Sequence, residues 1–460
     1  MSQSAELTIE IDAYLERLFC LNRSLTGEGN RQTLRILSEI APIETKEYPC
    51  STQVYDWVIP DEWSIRNAWI KDSSGEKIVD WQTNNLHIVG YSEAVDRKVS
   101  FEELAPRLHY FEDNSRGIPY RTSYYDRHWG FCVTQIQYEK LRSASGKLDV
   151  FIDSDFNSSG SMTVGEIKIA GRKKEEFLVS TYLCHPSMAN DNLSGLITTA
   201  ILARAMLNRG VPEHSWRFVF VPETIGAIAY LKFNELAMKT VRGGFVVTCC
   251  GGPGALGYKE TYIADHLVDR AVRLAFRDRN IEPLHYRFVP DGSDERQYSS
   301  PGFRIPVASI TKDKYYEFPE YHTSLDNLEF VCGAQICESL TVYEDAIRMV
   351  DENCLIRTRV PNGEAQLGRR GLYPKVGGAI GQSAAFGDDQ DNQQAQLDLI
   401  GWVLFLADGN HDLIAVAERS KHRFEAVQSC VALLLEQDLI ELIPSSQAAS
   451  TARVNCSLPI

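Results

Sequence analysis

Residues 181–200 read TYLCHPSMANDNLSGLITTA. An apolar β-like run, Phe177-Leu178-Val179-Ser180-Thr181, leads in. A helix-like run follows, with Leu196, Ile197, Ala200 and Ile201 at helical spacing. Between them stand an imidazole, His185, and a carboxylate, Asp191, among small polar residues. The same texture then repeats. Trp216–Val221 reads as a strand, Glu223–Met238 as a helix and Phe245–Thr248 as a strand. Strands alternating with helices predict an α/β fold with a mainly parallel sheet covered by helices on both faces. Ligand sites in such sheets form at the carboxyl ends of the strands, where the quoted stretch lies.

Outward from this body, residues 6–40 read as helix broken by the loop Ser24–Gly29, with Leu7, Ile11, Tyr14, Leu15 and Leu18 on one apolar face. Residues 48–147 are rich in Trp, Tyr, Val and Ile, with turn signals such as Asp72-Ser73-Ser74-Gly75, and read as an inserted β-rich module. The catalytic body is then discontinuous, 1–47 and 148–355. Residues 356–394 include a Gly-, Gln- and Asp-rich stretch and read as a linker. Residues 395–460 hold three short helix patterns and a strand, the order of a winged helix-turn-helix.

The net charge of −15 disfavours non-specific binding to nucleic acid or anionic membrane. The N-terminal stretch is acidic and mixed, unlike a signal peptide, and no apolar run is long enough to cross a bilayer. Eleven cysteines without CxxC pairs fit reduced thiols. These features predict a cytoplasmic protein.

Three predicted strand ends deliver chemistry-bearing groups. The first gives His185 and Asp191. The second gives Glu223, directly after a strand and a proline. Asp291-Gly292-Ser293-Asp294-Glu295-Arg296-Gln297-Tyr298 follows, and then Tyr321-His322-Thr323-Ser324-Leu325-Asp326-Asn327. Imidazole nitrogen and carboxylate oxygen are ligands that zinc accepts, and a hydrolytic zinc keeps one position for water. His185, Asp191 and His322 supply three such groups. A further carboxylate, off the metal, must take the water's proton, and Glu223 fits. Each residue has a plainer reading: a satisfied polar histidine, a first-turn acid complementing a helix dipole, a loop histidine. Their recurrence at successive strand ends favours the site.

The segments CHPSMANDNLSG, VPETIGAIAYL, DGSDERQYSSPGFRIP and YHTSLDN resemble the aminopeptidase-like zinc hydrolases distantly related to the M28 peptidases, and more closely the bacterial DUF4910/DUF2172 group. The resemblance covers nearly the whole chain, because that group also carries an inserted β module and a C-terminal winged helix. It implies a metallopeptidase-like hydrolase in which Asp191 matches the metal-bridging aspartate, His185 and His322 the histidines of the two metals, and Glu223 the general base. Three departures matter. The second glutamate of the M28 Glu-Glu pair is Thr224, the His-x-Asp is His185-Pro186-Ser187, and no carboxylate falls in Val247-Thr248-Cys249-Cys250. A single zinc on His185, Asp191 and His322 is the simplest expectation. A Cys249 thiolate restoring a second site is the alternative to a buried structural cysteine.

Asp294, Arg296 and Tyr298 are candidate substrate-binding residues, with Arg296 placed to clamp a carboxylate or to pair with Glu295 or Asp294. Tyr124, Tyr125, Asp126 and His128 either reach the cleft from the inserted module or pack within it. The expected activity is zinc-dependent hydrolysis of an amide or peptide bond, aminopeptidase-like, on a small peptide or amide-bearing metabolite. A dedicated metabolite amidase or deacylase, a winged-helix regulator and an inactive relic are the alternatives. No membrane partner is expected, nucleic acid is disfavoured by charge, and the oligomeric state stays open.

Overall fold

The computed structural model describes residues 3–372 and 389–443; residues 373–388, inside the expected linker, lie outside the described residues. The chain divides into two compact units, residues 1–269 with 283–344 and residues 270–282 with 345–460.

The first unit is built on an eight-stranded sheet. Its strands, in chain order, are β1 (Glu44–Pro49), β2 (Ser161–Ile169), β3 (Glu176–Tyr182), β4 (Ser215–Val221), β5 (Val241–Val246), β6 (Leu256–Lys259), β7 (Leu284–Tyr286) and β8 (Val307–Lys312). In space they run β1-β2-β4-β3-β5-β8-β6-β7. The centre, β4-β3-β5-β8, is parallel, while β2 pairs antiparallel with β4, and β6 with β8. Every residue from Phe177 to Tyr182 and from Trp216 to Val221 is buried. A strand buried at both odd and even positions has both faces covered, as a parallel sheet requires. The α/β expectation of a mainly parallel, helix-covered sheet holds.

The predicted elements appear with shifted ends. Residues 6–40 become the helices Gln3–Phe19 and Glu28–Leu37. The helix expected from Asn192 starts regularly only at Gly195, and the one expected from Glu223 only at Ile225. Both delays fall where site residues bend the backbone. Gly195 permits one of them, since a Cβ there would lie 2.4 Å from the Val247 carbonyl oxygen.

Within residues 48–157 a second, antiparallel sheet runs Lys77–Asp80, Glu62–Lys71, Leu148–Asn157, Val95–Val99. The loop between Val95–Val99 and Leu148–Asn157 reaches the segment that carries His322. Pro119 bridges to Thr323, and the Tyr120 N–H donates to the His322 carbonyl at 2.8 Å.

In the second unit Leu355–Thr358 sits between Asp408–Asp412 and Ile440–Leu442 in a three-stranded sheet with the helices Asp389–Leu406, Leu413–Ser420 and Phe424–Glu436. Its core includes Ile400, Val403, Ile414, Phe424, Val427 and Leu434. This is the expected winged helix. Among the described residues no helix is long and apolar enough to cross a membrane.

Candidate metal centre and active site

The carboxyl end of β3 is held by the residues flanking Asp191. Asn192 Nδ2 donates to Thr181 Oγ1 at 2.9 Å and to the Tyr182 carbonyl at 3.1 Å. Asn190 Nδ2 donates to the carbonyls of Lys312 (3.1 Å) and Asp313 (3.0 Å), tying the same turn to the end of β8. The Asp191 carboxylate is left between these clamps. Tyr182 donates its hydroxyl to Asp191 Oδ1 and shares a 2.6 Å hydrogen bond with Thr248 at the end of β5. Burial alone pushes the Asp191 carboxyl up, but the neighbouring His322 and His185 imidazoles and the Tyr182 hydroxyl outweigh it and leave it below its ordinary value.

Asp326 closes the site. Its two oxygens accept the backbone N–H groups of Asn190 (2.6 Å) and Asp191 (2.9 Å), and its carbonyl accepts that of Ala189. Burial pushes the Asp326 carboxyl up to about 7. The staple brings His322, four residues earlier, against Asp191. His322 Nε2 lies 3.1 Å from Asp191 Oδ2, and His185 Nε2 lies 3.8 Å from the same oxygen. The imidazole rings stand 5.0 Å apart at 84°. Tyr321 stacks on His322 at 3.9 Å, Tyr120 packs against His185 at 4.4 Å, and Arg23 Nη2 donates to the His185 carbonyl at 3.1 Å. Burial pushes the His185 imidazole down to about 3, so its ring is neutral.

These groups suit a cation. Asp191 Oδ2 and His322 Nε2 are buried and, despite their 3.1 Å approach, are not aligned as donor and acceptor, so neither has a hydrogen-bond partner. Lone pairs that converge without bonding one another describe a ligand set. His185, Asp191 and His322 offer ligand atoms all within 4.8 Å of one another. Glu223 Oε2 stands 3.5 Å from His185 Nε2. Burial, then the charges of Asp294 and Asp191, push its carboxyl well above the ordinary range. A second cluster, Cys184–His185–Glu223, is formed by the same imidazole. There the Cys184 sulfur accepts the Glu223 N–H at 3.3 Å and burial pushes the thiol up, which keeps it neutral. Cys249 belongs to neither cluster; burial pushes its thiol up as well.

The profile of the domain-of-unknown-function family DUF4910 matches residues 12–353. The chain belongs to the DUF4910 family. A winged helix-turn-helix profile matches residues 354–442. This DUF4910 chain is 38% identical to a Clostridium acetobutylicum protein named provisionally for polysaccharide biosynthesis with an aminopeptidase-like domain, over 96% of this chain and 98% of the relative. It superposes on the crystal structure of a Clostridium acetobutylicum candidate peptidase with a TM-score of 0.87, at 36% identity, covering 96% and 97% of the two chains. BSAP, a zinc aminopeptidase from Bacillus subtilis, follows at TM-score 0.56 and 13% identity, covering 75% of this chain and 94% of BSAP. The aminopeptidase-like fold is thereby shown.

Around the cluster of this DUF4910 protein, Thr224 is held at φ 63°, ψ −76°, with the Ile225 N–H donating to the Glu223 carbonyl at 2.8 Å. This is a γ-turn of positive φ, rare and strained for a β-branched residue. Asp294 Oδ1 accepts the Thr224 N–H at 2.8 Å, and Arg296 Nη2 donates to Thr224 Oγ1 at 3.3 Å. Asp294 and Arg296 therefore adjoin Glu223. Tyr298 does not; it is fully buried in the core, its hydroxyl 2.7 Å from Ser180 Oγ. Arg296 pairs with neither Asp294 nor Glu295. Its nearest carboxylate is Asp291 at 3.8 Å, while Glu295 lies 3.5 Å from Lys259.

The module cluster divides. Tyr124 adjoins the site, where its hydroxyl is pushed up by burial and by the charges of Cys184 and Glu223. Tyr125 instead donates to the Val58 carbonyl at 2.8 Å and, with Tyr124 and Asp126, lines a cavity of about 170 Å³. His128 Nδ1 lies 3.3 Å from Arg107 Nη1, outside the cluster. The sequence reading missed Tyr120, Tyr182, Arg23 and Asp326. Only Asp326, inside the quoted YHTSLDN segment, carried a signal.

Proposed function

We propose that this chain hydrolyses an amide or peptide bond at or near a free amino end, in a zinc-dependent reaction of aminopeptidase type with Glu223 as general base. The observation that carries the reading is the convergence of the buried, unpartnered Asp191 Oδ2 and His322 Nε2 with the His185 imidazole, beside the Glu223 carboxylate. Those three residues would hold one zinc ion, which when bound polarises a carbonyl and acidifies water. Glu223 takes a proton from the attacking water and delivers it to the nitrogen as the C–N bond breaks, so the amine leaves neutral. Its raised proton affinity suits a base working near neutrality. Tyr120 and Tyr124 wall the site from the module, which restricts the substrate to a small peptide or amide-bearing metabolite.

The same reading divides the chain by role. Residues 1–47 and the main-sheet strands from Ser161 onward do the chemistry, and the module from residue 48 through the strand Leu148–Asn157 shapes the cleft. The winged helix, which takes in Leu355–Thr358 and Asp389–Leu406 from the expected linker, takes no part in the chemistry. The name of the Clostridium acetobutylicum relative favours one narrower version, a dedicated amidase or deacylase in a biosynthetic pathway. The test is zinc analysis of protein purified without chelators, followed by turnover of a panel of amino-acyl and N-acyl amides. About one zinc per chain and a metal-dependent release of amine are expected; protein that binds no zinc sinks the proposal.

A further inference from the structure

Arg296 stands beside the candidate centre with no carboxylate in close contact. Arg31, Arg204 and Arg217 each meet a carboxylate within 2.7 Å. Arg296 has only the exposed Asp291, at 3.8 Å, and a neutral hydroxyl, Thr224 Oγ1, at 3.3 Å. Its Nε is buried without a partner, while the side chain as a whole stays 36% exposed. A guanidinium presents five donors in a planar fork that matches a carboxylate bidentately, and a buried donor left unmade is costly.

Its position is as telling as its missing partner. Arg296 reaches Thr224, the residue after Glu223, and so stands beside the candidate centre. The adjoining residue is Thr224, which has no charge with which to neutralise the fork.

We infer that Arg296 is a specificity-determining residue that binds a free carboxylate of the substrate, so that the amide hydrolysed belongs to an acidic acyl group such as a glutamyl or aspartyl unit. The inference rests on the hydrolase reading above and deepens it. The fork forms two parallel N–H···O bonds with the carboxylate and fixes the register of the amide against Glu223. No group is transferred at Arg296.

Zinc-reconstituted wild type, R296K, R296Q and T224V are compared on matched glutamyl and glutaminyl p-nitroanilides. Glutarate binding is measured by calorimetry on metal-free protein. Wild type is expected to prefer the glutamyl substrate. R296Q should lose about 10- to 100-fold of that preference, mainly through KM, and lose glutarate binding. R296K should retain part of both. T224V, which removes only the hydroxyl contact, should keep the preference. If Arg296 merely braces the turn or balances charge, R296Q and T224V weaken both substrates alike and leave the preference for the acidic one unchanged, and the inference falls. It falls too if wild type neither prefers the acidic substrate nor binds glutarate. Glutarate bound by wild type but not by R296Q, with no amide turned over, upholds the anion site and rejects the hydrolase reading.

Discussion

Glu223 and the three candidate ligands make separable demands. Glu223→Gln keeps the shape of the side chain and removes its basicity. It is expected to keep about one zinc per chain by mass spectrometry while losing about 10²- to 10⁴-fold in kcat. Unchanged turnover would remove Glu223 from the chemistry. His322→Ala deletes a ligand atom that has no hydrogen bond to lose, so the fold is expected to survive without the metal. Zinc should raise the melting temperature of wild type by mass action, EDTA should reverse the rise, and the variant should show none. At this scale His185, Asp191, Glu223 and His322 were legible because their side-chain types and strand-end positions recur together. Tyr182 and Arg23 were not, because an aromatic at a strand end and an arginine after a helix look alike whatever their hydroxyl or guanidinium meets.

Short elements aim these groups. The γ-turn at Thr224 delays the following helix to Ile225 and turns Glu223 toward His185. Asp294 clamps it, and burial pushes that carboxyl up to about 7. The folded protein therefore holds a proton that the unfolded chain, with an ordinary carboxylate near 4, has released. Stability falls as pH rises from about 4 to about 7 and levels above that. Asp294→Asn keeps an acceptor for the Thr224 N–H and cannot ionise. Its denaturation midpoint should match wild type near pH 4 and exceed it at pH 8. Equal pH dependence would show that Asp294 is ionised in the fold. Asp294→Ala removes the clamp and is expected to lower kcat with zinc retained. A comparable dependence on partners holds for the sheet. Buried Arg217 lies 2.7 Å from Glu166 and 3.0 Å from Glu176, so Arg217→Ala strands Glu176, while Glu166 keeps Lys46 and Lys168, and should cost about 3 kcal/mol in chemical denaturation. Strand and helix identities were readable from periodicity; the γ-turn and the irregular turn before Gly195 were not, because long-range hydrogen bonds, not local propensity, hold both.

For the whole molecule, the acidic chain sets one expectation. Despite its winged helix, the protein should not retard random duplex DNA even at about 50 mM salt, since non-specific affinity is bought with phosphate-neutralising cations. A clear shift that weakens steeply with salt would restore a regulatory reading.

The sequence by itself determined the alternation of buried strands and amphipathic helices, the winged helix and the residue types at the strand ends, because side-chain period and hydrophobicity are local properties of the chain. Tertiary structure alone decided which of those residues meet. The Asp326 staple, the crossing of the module loop onto His322 and the burial of Tyr298 depend on groups up to two hundred residues apart, and no local pattern encodes a contact whose free energy is gained only when both partners leave water together.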